Sequence, residues 1–187
     1  MMLTTLDPVT ALIVIDLQKG IVALPTIHPA ADVVRKASAL ADAFRRAGLP
    51  VVLVNVTGGA PGRVEQPPPG GQRPAGWTDL VPELNQQPQD HRVTKQTWGA
   101  FTHTDLEQHL RKLGATQIVL AGISTSIGLE STARQAFEFG FNLTFAIDAM
   151  TDLKAEAHTN SVTRIFPRLG ETGTTQEIIA LVERTRA

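Results

Sequence analysis

The chain has 187 residues, 42% of them hydrophobic, with 17 basic against 18 acidic side chains. That size and apolar share suit one domain, spanning residues 1–187, with a continuous core, and the near-zero net charge offers no electrostatic grip on nucleic acid or an anionic membrane. Cysteine is absent, which excludes disulfides, thiolate metal sites and every mechanism that needs a sulfur nucleophile. The expected partners are a small-molecule substrate and other copies of the chain. The longest apolar runs fall far short of the roughly 20 residues of a membrane span, and no charged start precedes a signal-like stretch, so the compartment expected is the cytoplasm.

Short apolar runs rich in β-branched residues recur at 11–15, 51–56, 117–121 and 143–147, each ending at a polar residue or glycine, and read as buried parallel strands. Between the first two, Val33, Val34, Ala37, Leu40, Ala41 and Phe44 repeat at helical spacing, and Gly48 and Pro50 stop that helix. A second helix is expected at about 104–113, ending at Gly114. A third starts near Ser126, turns Leu129, Ala133, Ala136 and Phe137 inward, and ends at Gly140. Two more are expected at about 155–165 and 175–184. Alternating strands and helices with short connections predict a doubly wound α/β sheet, because right-handed crossovers cover both faces. Residues 57–90 interrupt the pattern with most of the prolines, including the run Pro67–Pro69, several glycines and Trp77. An irregular excursion of that length is either a functional lid or contact, or a surface loop.

In an open parallel sheet, ligands bind beyond the carboxyl ends of the strands, where the strand order reverses. Three polar features fall there. Asp16 ends the first apolar run in ALIVIDLQKG. Lys95 closes the short run HRVTK before QTWGAF. The segment VLAGISTSIGLESTARQAF then leads through Gly122 into a helix whose first turn offers backbone N–H groups and the positive end of a dipole. Each residue alone has a plainer reading: Asp16 as a cap, Lys95 as a surface lysine, and Ser124, Thr125 and Ser126 as capping residues. Their joint placement is what points to a site. Gln18, Arg63, Arg73, Trp77 and Trp98 are candidate substrate contacts near it.

ALIVIDLQKG, VTKQTWGAF and VLAGISTSIGLESTARQAFEFGF followed by AIDAM resemble, in order and spacing, the successive signatures of isochorismatase-like hydrolases, from about Leu12 to Ile179. The resemblance implies a Rossmann-like three-layer sandwich around a mostly parallel six-stranded sheet, assembled as a homodimer or larger homo-oligomer. It makes Asp16 the acid–base residue and Lys95 the family's lysine. In the cysteine hydrolase branch the segment matching Gly122 to Arg134 carries the nucleophile where this chain has Gly128. The backbone N–H groups of Thr125, Ser126, Ile127 and Gly128 would form the oxyanion hole, and a cis peptide would precede Ser124.

Without a thiol the acyl-enzyme route of the family's amidases is closed. Nicotinamidases also carry an Asp-x-His…His metal cluster where this chain reads NVTGGAPGRVE, and His28, His91, His103, His109 and His158 are scattered without ligand spacing, so neither a metal nor another cofactor is expected. Isochorismatases share glycine at this position and hydrolyse a vinyl ether without a covalent intermediate. They usually carry Y-A-H where this chain has Ser124-Thr125-Ser126, so the neighbours of Gly128 resemble the cysteine branch. The expectation is a hydrolase that cleaves a vinyl ether or ester of a small anionic metabolite with Asp16 and activated water. The alternatives are a catalytically inactive relative that binds a metabolite or partner, and replacement of the thiol by Ser126 or Ser131.

Overall fold

The computed structural model describes residues 3–66 and 72–184. The proline run Pro67–Pro69 lies outside the described residues. In chain order the elements are β1 (Thr10–Ile15), α1 (Lys19–Val22), α2 (Ala30–Arg46), β2 (Val51–Val56), β3 (His91–Lys95), α3 (Leu106–Lys112), β4 (Gln117–Ile123), α4 (Glu130–Glu138), β5 (Asn142–Thr151), α5 (Ala155–Asn160), α6 (Phe166–Leu169), β6 (Glu171–Gly173) and α7 (Thr175–Arg184). The strands form one sheet in the order β3-β2-β1-β4-β5-β6, and every pairing between them is parallel. This is the doubly wound order in which the chain moves outward from β1 on one side and from β4 on the other, so the reversal falls between β1 and β4.

β1 is buried along its whole length, as a central strand covered on both faces must be. Its alternation sorts the core. Leu12 and Val14 join the apolar cluster under α2 and α7, whereas Ala11, Ile13 and Ile15 join the one under α3 and α4. The α2 residues predicted to face inward are all buried, and Gly48 follows that helix with φ 67°, the left-handed stop that glycine adopts without a Cβ clash.

The structure differs from expectation at several boundaries. The helix expected at 155–165 divides into α5 and a five-residue π-type turn, Ser161–Ile165, and the one expected from Ser126 begins as a π-type turn, Thr125–Leu129, before α4. The sheet has the six strands that the resemblance implies, but the position of β6 and the short helices α1 and α6 were not readable from the pattern, because three or four residues carry no period. The 57–90 excursion contains a 3-10 turn at Pro82–Leu84 and is tied to the sheet by an antiparallel bridge between Gln18 and Leu80. None of the described helices is long and apolar enough to cross a membrane.

Candidate active site

Asp16 follows directly on β1 with φ 53°, a left-handed conformation that a non-glycine residue adopts only where its surroundings impose it. Its N–H donates to Val54 O at 2.9 Å, which fixes the turn. Lys95 is the last residue of β3, two strands away, and its long side chain reaches back over the end of β2. Nζ lies 2.8 Å from Asp16 Oδ2 and 3.1 Å from Thr97 O. Both partners are buried, Lys95 at 2% exposure and Asp16 at 5%. Oδ1 of Asp16 has no hydrogen-bond partner, and among the described residues it is the only fully buried side-chain polar atom left so. Burial pushes the Asp16 carboxyl up from 3.8 to about 6, against the opposing pull of the Lys95 charge and its hydrogen bond.

β4 supplies the facing wall. Gly122, opposite Ile15 in the sheet register, has φ 129°, and a side chain there would overlap the Ile15 backbone. Only glycine lets the ends of β1 and β4 approach so closely. The Ile123–Ser124 peptide is cis. The π-type turn Thr125–Leu129 follows, closed by Leu129 N–H to Ser124 O at 3.1 Å. Gly128 on this turn faces Asp16: a Cβ built there would lie 3.3 Å from Asp16 Oδ2 and 3.1 Å from Ile15 Cγ2. The residue that sequence resemblance puts at the nucleophile position thus sits beside the buried carboxylate.

These groups open into a cavity of about 400 Å³. Asp16, Lys95, Ser124, Ile127 and Gly128 line its floor; Trp77, Trp98 and Arg73 line other parts of its wall together with aliphatic side chains such as Ile21 and Leu153. The Trp77 indole lies against Gly20, where any side chain would overlap it, and the Arg73 guanidinium stacks over that indole at 4.1 Å while donating to Thr57 O. Arg73 makes no ion pair among the described residues.

Five sequence-based candidates differ from expectation in placement or in the bonds they make. Gln18 is fully buried and does not line the cavity: it donates to Val56 O and Trp77 O and accepts from Val56 N–H, so it fastens the 57–90 excursion to the end of β2. Arg63 is exposed and is not among the lining residues. Thr125 turns its hydroxyl away, toward Thr151 O and His158 Nδ1. Ser126 gives its N–H to Asp152 Oδ2 at 2.7 Å, and Ile127 gives its N–H to Ser124 O, so these two amides of the run are committed within the fold and not offered to an oxyanion. Neither Ser124 nor Asp16 caps a helix with its side chain: the Ser124 side chain makes no capping bond, and the Asp16 carboxylate is held, among the described residues, by Lys95 alone. Asp152 went unmarked in the sequence, although it closes β5 as Asp16 closes β1, and His158 was read only as one of the scattered histidines.

A Rossmann-like sheet with a buried acid–lysine pair on one side of the switch point and a tight glycine-bearing turn on the other defines an α/β protein with a cavity at the carboxyl ends of its central strands. The chain belongs to the isochorismatase domain family, whose domain matches residues 10–177. It is 44% identical over 181 residues to the isochorismatase family protein YwoC of Bacillus subtilis, covering 93% of this chain and 94% of that protein. With the isochorismatase family protein YecD of Escherichia coli O157:H7 it shares 45% identity over 179 residues, 91% of this chain and 94% of the relative. The structure of an isochorismatase family protein from Burkholderia thailandensis superposes with a TM-score of 0.92 at 42% identity, over 96% of this chain and 98% of that one.

Proposed function

We propose that the protein hydrolyses an enol ether or ester of a small anionic metabolite without a covalent intermediate, with Asp16 moving the protons. The observation that carries this reading is the placement of Gly128 against Asp16 Oδ2, in a cavity that the Asp16 carboxyl group lines while its buried Oδ1 stays unpartnered. With no nucleophile at position 128, the adjacent cavity of about 400 Å³ brings substrate and water to one carboxyl group. A carboxyl raised to about 6 keeps roughly a tenth of its protons at pH 7, enough to serve as a general acid while remaining a competent base in the next step.

For an enol ether, the Asp16 carboxylic acid gives its proton to the terminal enol carbon, and the electron pair of the C=C bond forms the new C–H bond. The oxocarbenium ion adds water, which loses a proton to the Asp16 carboxylate, and the hemiketal collapses to a ketone and an alcohol. The Lys95 ammonium, held on Oδ2, keeps the ionised form tolerable in a buried site. For an ester, Asp16 as base would activate water, and the amides of Ser124 and Gly128, the ends of the turn that line the cavity, would receive the developing negative charge.

Lys95 has little surface left to bind a substrate anion, since it is buried on Asp16 and Thr97. Arg73 at the cavity wall is the better cation for that task, and the two tryptophans suit a flat or apolar body. The test is turnover of a panel of carboxylate-bearing enol ethers, esters and amides by the wild type and by Asp16→Asn. The reading expects hydrolysis of an enol ether or ester, no amidase activity, and loss of at least about a hundredfold in kcat/KM on substitution. Turnover that survives Asp16→Asn would refute it, and tight binding without turnover would favour an inactive metabolite-binding relative.

A further inference from the structure

Behind the turn that presents Gly128 lies a polar cluster that the proposed chemistry does not use. Asp152, 2% exposed, faces no cation within ion-pair distance among the described residues. Its two oxygens divide between the turn after β4 and the chain after β5: Oδ2 accepts Ser126 N–H at 2.7 Å and Oδ1 accepts the N–H of Leu153, a cavity-lining residue, at 2.7 Å. Its carbonyl accepts Ile27 N–H from the segment between α1 and α2. Beside it, Thr125 Oγ1 lies 3.0 Å from Thr151 O and 2.9 Å from His158 Nδ1. A carbonyl only accepts, so the hydroxyl proton goes to Thr151 O and the imidazole donates from Nδ1, which fixes the His158 tautomer. Burial and the edge-on ring of His28, 5.0 Å away, hold His158 below its usual range against the opposing charge of Asp152.

Ordinarily the residue before a helix caps its first turn, and here that residue is Ser124. Its side chain makes no capping bond and instead lines the cavity. The capping of Ser126 N–H has passed to Asp152, which reaches in from the end of β5. The π-type closure of this turn is wider than an α-turn and needs support from outside. Resting on the function proposed above, we infer that Asp152 and His158 are positioning residues that hold the turn Thr125–Leu129, so that Gly128 and the freed Ser124 stay against Asp16. Asp152 acts on the Ser126 amide, and His158 acts through the Thr125 hydroxyl.

The test uses two readouts that require no substrate. Amide hydrogen exchange by NMR should be at least about tenfold faster at Ser126 and Gly128 in Asp152→Ala, with Val119 and Leu120 in the middle of β4 unchanged. The Asp16 carboxyl, followed by carbon NMR, should titrate near 6 in the wild type and move down toward the ordinary carboxylate range in His158→Phe, where the loosened turn admits water. In His158→Asn the amide nitrogen can occupy the place of Nδ1, and the midpoint should stay near 6. With a substrate in hand, Asp152→Asn should lower kcat about tenfold with KM within about twofold. Unchanged exchange at Ser126, or an Asn variant at 158 that behaves like the Phe variant, would overturn the inference. Failure of the Asp16→Asn turnover test would instead remove the hydrolase reading and leave these two measurements standing.

Discussion

Gly128→Cys is the most direct probe of the site. Its backbone is helical rather than left-handed, so a side chain is conformationally allowed, and a Cβ would meet Ile15 Cγ2 at 3.1 Å and Asp16 Oδ2 at 3.3 Å. Those neighbours must give by a few tenths of an ångström, an overpacking cost of about 1 kcal/mol, offset by about 0.5–1 kcal/mol gained on replacing a helical glycine. Thermal unfolding should therefore move by no more than about 2–4 °C. The introduced thiol would be the only one in the chain. Its thiolate would stand near the Asp16 carboxylate, and two like charges about 4 Å apart repel by up to about 4 kcal/mol at an effective dielectric of 20. A third of that repulsion is already tenfold in thiolate population. Alkylation by iodoacetamide at pH 8 should accordingly rise at least about tenfold when Asp16→Asn is added, because Lys95 is then free to favour the thiolate. An alkylation rate indifferent to Asp16→Asn, or a thiol closed to the reagent, would show that position 128 does not face the acid–lysine pair.

Burial raises Asp16 from 3.8 to about 6, so the folded chain holds this proton more tightly than the unfolded chain does. Its stabilising contribution is full below pH 3.8 and lost as pH rises through about 6, on the order of 3 kcal/mol in all; urea unfolding from pH 4 to 8 should show the decline in the wild type and not in Asp16→Asn. Lys95→Met removes one partner of a pair in which both members are at least nine-tenths buried, and should cost about 3–5 kcal/mol at pH 8 and less near pH 5, read from denaturant midpoints. Gln18→Leu removes the side-chain partners of Val56 N–H and Val56 O and leaves the Trp77 carbonyl with Gly20 N–H alone, so it should cost about 2 kcal/mol and make Trp77 fluorescence more quenchable by acrylamide. Arg73→Gln should raise KM for a carboxylate-bearing substrate about tenfold while leaving kcat within about twofold, and a neutral analogue should be bound equally by both proteins.

The sheet was legible because four of its strands are buried on both faces and therefore read as plain apolar runs. β3 alternates, with Arg92 and Thr94 exposed, and its short run was still readable through the lysine that ends it. β6 was not, since its three residues pair along Thr144, Phe145 and Ala146 by tertiary context alone. At the site, Asp16 and Lys95 were recoverable as charged residues at the ends of apolar elements. What could not be read was direction. Gln18 looked like a contact two residues beyond Asp16, and the tight turn after β1 buries it instead. Thr125 and Ser126 stood in the right segment, but the π-type turn points one side chain backward and commits the other's amide. Asp152 and His158 matter through bonds to residues 26 and 33 positions away, a relation that no local pattern carries.

The two glycines of the segment after β4 differ in how replaceable they are. At Gly122 the Ile15 backbone leaves no space for any side chain, so the position is closed to variation as long as this sheet exists. At Gly128 the surroundings nearly accommodate one. A glycine codon of the GGU or GGC type becomes a cysteine codon through one base change. Beside the buried carboxylate, a single base change of that kind would thus place a thiol at a position whose backbone already tolerates a side chain, whereas no such change is open at Gly122.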